Sequence, residues 1–343
     1  MFKKVGLSIL LFIVLYLTYH FSALKYGISQ GIGQAKVLMN TVSIESVKNN
    51  PNTPDSVLQK IAFIEEVKTY AYDSIGLSET DNYTSFYDQK GKPILWVVTA
   101  SPEFQIEAHL WCFPIAGCFP YKGFFEYEKA LAEEQVLKTK GFDTDIGEVS
   151  AWSTLGFFKD PILSSMLNRS EGSLAELIIH ELTHATLYVK NDVSFNENLA
   201  NFVGKQGAIE FLKHKYSDTS LEVFTYQNSL LKKQVFADYM RNQLKTLKQF
   251  YDTLNISLSI AKKRQLKEQQ LVQIKWGLLA SSYFKDSTEA QKRLAKFQPN
   301  NAFFTGFSTY SKQQTDFHEI LKNEHQGRLK DFIIAFKKIH GSG

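Results

Sequence analysis

The first hydrophobic pattern along the chain is a run rather than a period. From Val5 to about Leu24 the sequence is nearly charge-free, and a helix of roughly 20 such residues matches a hydrocarbon core of about 30 Å. Lys3 and Lys4 precede the run and would remain cytoplasmic. The expectation is a single-pass inner-membrane anchor at residues 1–25, with everything after it on the periplasmic side. A cleaved signal segment is the alternative, although Phe21-Ser22-Ala23 makes a poor small-x-small site.

Beyond the run the pattern becomes periodic. Residues 27–77 read as two helices broken at Asn49-Asn50-Pro51, the second starting at Asp55 with apolar positions from Val57 to Val67. Tyr83 to Tyr87 and Ile94 to Thr99 have the β-branched and aromatic residues of strands, and Gln89-Lys90-Gly91-Lys92 reads as a hairpin connection between them. Phe124 to Lys140 is helical and stops at Gly141, and Phe142 to Trp152 reads as a strand. Leu174 to about Lys190 and Phe195 to about Leu212 are predicted helices around a turn at Asn191-Asp192. From Leu221 onward helical segments dominate, with breaks near Asn255 and at residues 297–301. The predicted class is α+β: a small mixed sheet within about 26–170, helices at 174–213 and a mainly helical part at 214–343.

Composition changes this picture little. With 44% hydrophobic and 22% charged residues in 343, the chain is an ordinary folded protein, which excludes wholesale disorder and a disulfide-dense miniprotein. A net charge of +4 asks for no nucleic acid, despite the lysines of residues 212–340. The two cysteines, Cys112 and Cys118 in WCFPIAGC, either close a small loop in an oxidising compartment or remain buried thiols. Two cysteines alone cannot build a four-ligand structural zinc site.

The chemistry is concentrated in residues 174–207, LAELIIHELTHATLYVKNDVSFNENLANFVGKQG. His180-Glu181-Leu182-Thr183-His184 is an HExxH on a predicted helix. Residues four apart share a helix face, so both imidazoles can reach one ion while Glu181 stands beside it to hold the attacking water. Apolar residues surround the helix, and two histidines with a glutamate in a buried helix need partners that a zinc ion supplies. The best third ligand is Glu197, brought back by a helix, turn and helix. Ser194-Phe195-Asn196-Glu197 also fits a capping box, which would give Glu197 a purely structural task. Asp192, Glu210 and His214 are minor ligand candidates, and Glu176 is either a hydrogen-bond partner of a ligand histidine or a solvated residue.

These residues and several other stretches resemble a bacterial family of predicted zinc aminopeptidases. The stretches are YGISQGIGQ at 26–34, WCFPIAGCFPYKGFF at 111–125, AWSTLGFFKDPIL at 151–163, HELTHATLYVKNDVSFNENLANFVGKQG at 180–207 and NNAFFTGFSTY at 300–310. The family resembles gluzincin metallopeptidases, which implies a zincin-like fold, one Zn2+ per chain on His180, His184 and Glu197, Glu181 as general base and a peptide substrate. Many members carry a lipid-attachment cysteine before the tyrosine-containing stretch. Ser22 to Lys25 contains none, so the apolar helix is expected in its place.

A peptidase of this kind also needs a donor for the developing oxyanion, for which Tyr310 and Tyr188 are candidates. Residues 150–156 are a candidate edge strand for an extended substrate. An aminopeptidase needs a further carboxylate for the substrate ammonium, with Glu176 and Glu148 as the conceivable residues. An envelope endopeptidase and an inactive scaffold are the rival readings, and the sequence leaves the oligomeric state unread.

Overall fold

The structure is a computed structural model that describes residues 20–114, 117–149, 159–190, 192–280, 291–292, 295–307 and 313–340. The N-terminal apolar run, up to Tyr19, lies outside them. Among the described residues no helix is long and apolar enough to cross a membrane. The expectation of a single-pass inner-membrane protein with a periplasmic catalytic domain is thereby corrected. The first described helix, α1 (Phe21–Met39), includes Lys25 and Lys36 and is bound along the protein's own surface.

The first half interleaves short strands and helices: β1 (Val42–Ser43), α2 (Ile44–Lys48), α3 (Asp55–Tyr70), β2 (Ser85–Tyr87), β3 (Trp96–Pro102), β4 (Trp111–Phe113), β5 (Gly117–Phe119), β6 (Lys122–Phe124), α4 (Tyr127–Thr139), β7 (Phe142–Glu148) and β8 (Ile162–Leu163). Then come α5 (Glu171–Thr186), α6 (Val193–Lys215), α7 (Leu221–Thr253), α8 (Ile260–Ala280), α9 (Asn301–Thr305), α10 (Gln313–Asn323) and α11 (Leu329–His340). The α+β class is as expected, with helices predominating.

Among the described residues the strands form three small sheets rather than one, ordered β1-β2-β8, β6-β3-β7 and β4-β5. Among the described residues only the β2–β8 pairing is parallel. The expected hairpin joining β2 to β3 is therefore corrected. The turn itself is present: Lys90 and Gly91 have φ of 51° and 73°, and Lys92 N–H donates to the Gln89 carbonyl. Yet Gln89 is tied elsewhere, its N–H donating to Ser164 Oγ and its Oε1 accepting from Ser165 N–H. That holds the turn against the segment after β8 and sends β3 into a different sheet.

Both outer strands of the β6-β3-β7 sheet have backbone groups taken by side chains from distant segments, which blunts edges that would otherwise recruit another strand. At β6, the Tyr26 hydroxyl donates to the Gly123 carbonyl and accepts from its N–H, at 3.0 and 3.2 Å. Gln30 donates to the same carbonyl at 3.0 Å. At β7, Asn300 donates to the Thr144 carbonyl at 2.8 Å. Asn301 reaches the Pro102 and Glu103 carbonyls and accepts from the Tyr251 hydroxyl. The buried ammonium of Lys267 sits on Asp143. These contacts give YGISQ and NNAFF a structural task.

The largest core lies between α3, α5, α6, α11 and the β1-β2-β8 sheet, and includes Ile64, Ile178, Ile179, Leu199, Val203 and Phe332. It encloses the helix that carries the HExxH.

Candidate metal centre

Helix α5 is buried through Leu174, Ala175, Ile178, Ile179 and Leu182, which fixes its rotation and turns His180 and His184 to one side. Their Nε2 atoms lie 3.1 Å apart. The chain leaves α5 at Thr186 and returns as α6 from Val193. Asn196 pins the connection, since its side-chain oxygen accepts from Val189 N–H and its amide donates to the Val189 carbonyl, both at 2.8 Å. Asp192 caps α6 by accepting from Phe195 N–H at 2.9 Å.

The two helices approach closely at Gly204. A Cβ there would lie 2.8 Å from the Glu176 carbonyl oxygen and 3.2 Å from His180 Cβ, so any side chain would force the helices apart. Glu197, two turns earlier on the same side of α6, is thereby delivered to the histidines. Its carboxylate oxygens lie 3.6 Å from His180 Nε2 and 3.4 Å from His184 Nε2. Among the described residues these three form a group able to hold a metal ion.

The donor set fits zinc. Ligand atoms about 2.0–2.1 Å from a tetrahedral ion lie roughly 3.3–3.4 Å from one another, and the observed separations of 3.1, 3.4 and 3.6 Å fall around that value. Protonation matches too. Burial, then repulsion from His184, pushes His180 down to about 4, so its imidazole is neutral near pH 7, the form that ligates. Glu197 is held below the usual carboxylate range, chiefly by its hydrogen bond to His184.

The capping-box reading of Glu197 is corrected: the cap is Asp192, two residues before Ser194, which frees Glu197 to face the imidazoles. Asp192, in turn, is accounted for as the cap. Glu210 and His214 lie 13 and 17 residues beyond Glu197 on one helix, about 20 and 25 Å away at 1.5 Å per residue. His214 packs against Tyr70, and burial raises Glu210 to about 7. Glu176 faces Lys233 at 3.4 Å rather than a ligand histidine, and Glu148 ends β7 at an exposed position. Tyr188 is exposed, just past the end of α5. Tyr310 and residues 150–156 lie outside the described residues.

A family model described as "Putative aminopeptidase" matches residues 25–342. The chain belongs to that family. Membership supports a peptidase role with a peptide substrate, and the match spans every element that builds the metal-ligand cluster. No curated protein and no solved structure matches the chain.

Two tyrosines that feel the charge of Glu181 or Glu197 were not found by sequence reasoning. Tyr83 is buried with φ of 62°, and its phenol is raised first by burial and then by the charge of Glu181. Tyr121 is raised by burial and then by the charge of Glu197. A positive φ at a tyrosine has no sequence signal, whereas Tyr121 lay in view within WCFPIAGCFPYKGFF.

Proposed function

We propose that the protein is a zinc-dependent peptidase of zincin-like architecture, acting as an aminopeptidase. The observation that carries this reading is the spacing of His180 Nε2, His184 Nε2 and the Glu197 carboxylate at separations suited to one tetrahedral ion, in a chain whose family is described as aminopeptidase. Bound zinc would polarise the peptide carbonyl and acidify the attacking water. The remaining chemistry belongs to this chain. Glu181, next to the first ligand on α5, accepts the proton of the attacking water and returns it to the leaving amine. His180 stays neutral, and Glu197 supplies the one negative charge of the ligand set.

One observation favours an endopeptidase as the second reading. Glu176 is engaged by Lys233 and Glu148 sits at an exposed strand end, so neither is placed to receive a substrate ammonium. The two readings separate in one assay. If the substrate ammonium is bound by a buried carboxylate, acetylating it leaves that group unpaired, a loss of about 2–3 kcal/mol or on the order of a hundredfold in rate. Short peptides with free N-termini should lose one residue at a time, N-acetylated versions should be nearly inert, and a zinc chelator should abolish both. Equal cleavage of both forms at internal bonds would replace the aminopeptidase with an endopeptidase. Full turnover in the presence of chelator would remove the metallopeptidase.

A further inference from the structure

Helix α1 is fastened to the protein along one side. Tyr26 stacks on Phe113 of β4 at 5.0 Å. A Cys112–Cys118 disulfide ties β4 to β5 at a directly opposed pair, which resolves the cysteine alternatives of the sequence in favour of the bond. Tyr26 and Gln30 both hold Gly123 of β6. One turn on, Gly33 lets the helix settle on Phe125, since a Cβ there would lie 2.1 Å from the ring. A second stripe of the same helix is left open. Lys25, Ile28, Ile32 and Lys36 follow one another at helical spacing, and Ile28 and Ile32 are 61% and 65% exposed.

That stripe borders two adjoining clefts. One, of about 900 Å³, lies between α1 and the start of α4 and is walled by Ile28, Ile32, Trp96 and Phe125. The other, of about 1100 Å³, runs from the end of α1 to the start of α3 and the turn after β2. They share Lys36, Tyr87, Gln89 and Lys92, so together they exceed the roughly 300–1,000 Å³ of a small-molecule pocket and offer the room of an extended chain. No residue of the metal-ligand cluster lines either. The walls are braced. Gln89 is tied to Ser164 and Ser165 and donates to the Lys92 carbonyl at 3.1 Å, while Lys60 donates to the Arg169 carbonyl at 2.7 Å. The groove therefore needs little ordering by its occupant.

Charge defines the occupant. Six lysines line the two clefts against three carboxylates, and two of those carboxylates are engaged: Asp88 accepts from Lys90 N–H at 2.8 Å, and Glu126 pairs with Lys129 at 2.7 Å. Among the described residues no carboxylate pairs with the ammonium of Lys25, Lys36, Lys90 or Lys92. Four uncompensated cations attract an anionic chain. The isoleucines and the aromatic wall beside them favour a peptide with apolar side chains over a sugar polyanion, whose polar groups they would desolvate without partners. We propose that this groove is a binding site, separate from the metal centre, for an extended acidic peptide that carries large apolar side chains. The lysines hold its carboxylates, and Ile28, Ile32 and Trp96 hold its apolar groups. The inference stands whether or not the chain is a peptidase.

The test is fluorescence anisotropy on the full chain, with zinc chelated so that no probe is cut. The probe is a labelled peptide of alternating Glu and Leu. It should bind about tenfold more tightly than alternating Lys-Leu or Glu-Ser peptides, and added salt should weaken it. The double variant Lys36→Glu/Lys92→Glu changes two exposed side chains and should lose about tenfold in affinity with helical content unchanged. Equal binding of Glu-Leu and Lys-Leu peptides overturns the proposal, as does wild-type affinity in the double variant. Tighter binding of heparin than of the Glu-Leu peptide also overturns it, by making the occupant a sugar polyanion. If the double variant loses helical content, Ile28→Ser/Ile32→Ser takes its place. It must weaken Glu-Leu binding and leave Glu-Ser binding unchanged, and the opposite result overturns the groove.

Discussion

Glu181→Gln is expected to reduce peptide turnover by roughly 10²–10⁴-fold, the range that a positioned general base contributes, while zinc remains bound. The substitution keeps the size of the side chain and removes only its capacity to accept a proton. The proposed ligand atoms belong to His180, His184 and Glu197, none of which changes. Helix α5 is fixed by apolar residues on its buried sides, so its rotation should hold. Single-turnover rates measured beside metal content check both halves of the expectation. Turnover near the wild-type level would remove Glu181 as the base, and loss of zinc would make it a structural residue.

Glu197→Gln and Glu197→Ala should both weaken zinc binding, by more than the 10–100-fold typical of losing an outer hydrogen-bond partner. Glutamine matches glutamate in size but is a poor ligand for zinc. The helix itself should be indifferent to the change, because α6 is capped by Asp192 and Glu197 stands beyond the first turn. The metal-free variants should therefore retain wild-type helical content, and a competitive zinc chelator reads the affinities. Undiminished affinity in Glu197→Gln would take Glu197 out of the ligand set.

The cluster was legible in the sequence because one regularity, the α-helical period, sets both its spacing and its face. His180 and His184 needed nothing more. Glu197 was harder, since Ser194 and Glu197 match a capping box and only the position of the cap, at Asp192, separates the two roles. The tightness of the α5–α6 contact was also hidden: Gly204 reads as an unremarkable helix glycine until the Glu176 carbonyl is seen against it. Strand partners were the poorest inference, and the reason is physical. Lys90 and Gly91 adopt the positive φ values that a hairpin turn requires, yet strand pairing is decided by distant contacts, here those of Gln89 with Ser164 and Ser165. The stretches YGISQ and NNAFF were visible as words, but their task of holding strand edges depends on backbone groups that no sequence pattern names. Composition alone suggested a membrane span for the apolar run, which lies outside the described residues, whereas the helix that follows it is bound to the protein's own sheet and no described helix is long and apolar enough to cross a membrane.

The central claim is that His180, His184 and Glu197 share one zinc ion. Anomalous diffraction from crystals of the zinc-loaded chain, recorded on both sides of the zinc absorption edge, tests it most directly. A single peak per chain, about 2.0–2.2 Å from His180 Nε2, His184 Nε2 and a Glu197 carboxylate oxygen, is the predicted result. A zinc peak bound by other residues, or none at these three in crystals whose solution carries stoichiometric zinc, would contradict it.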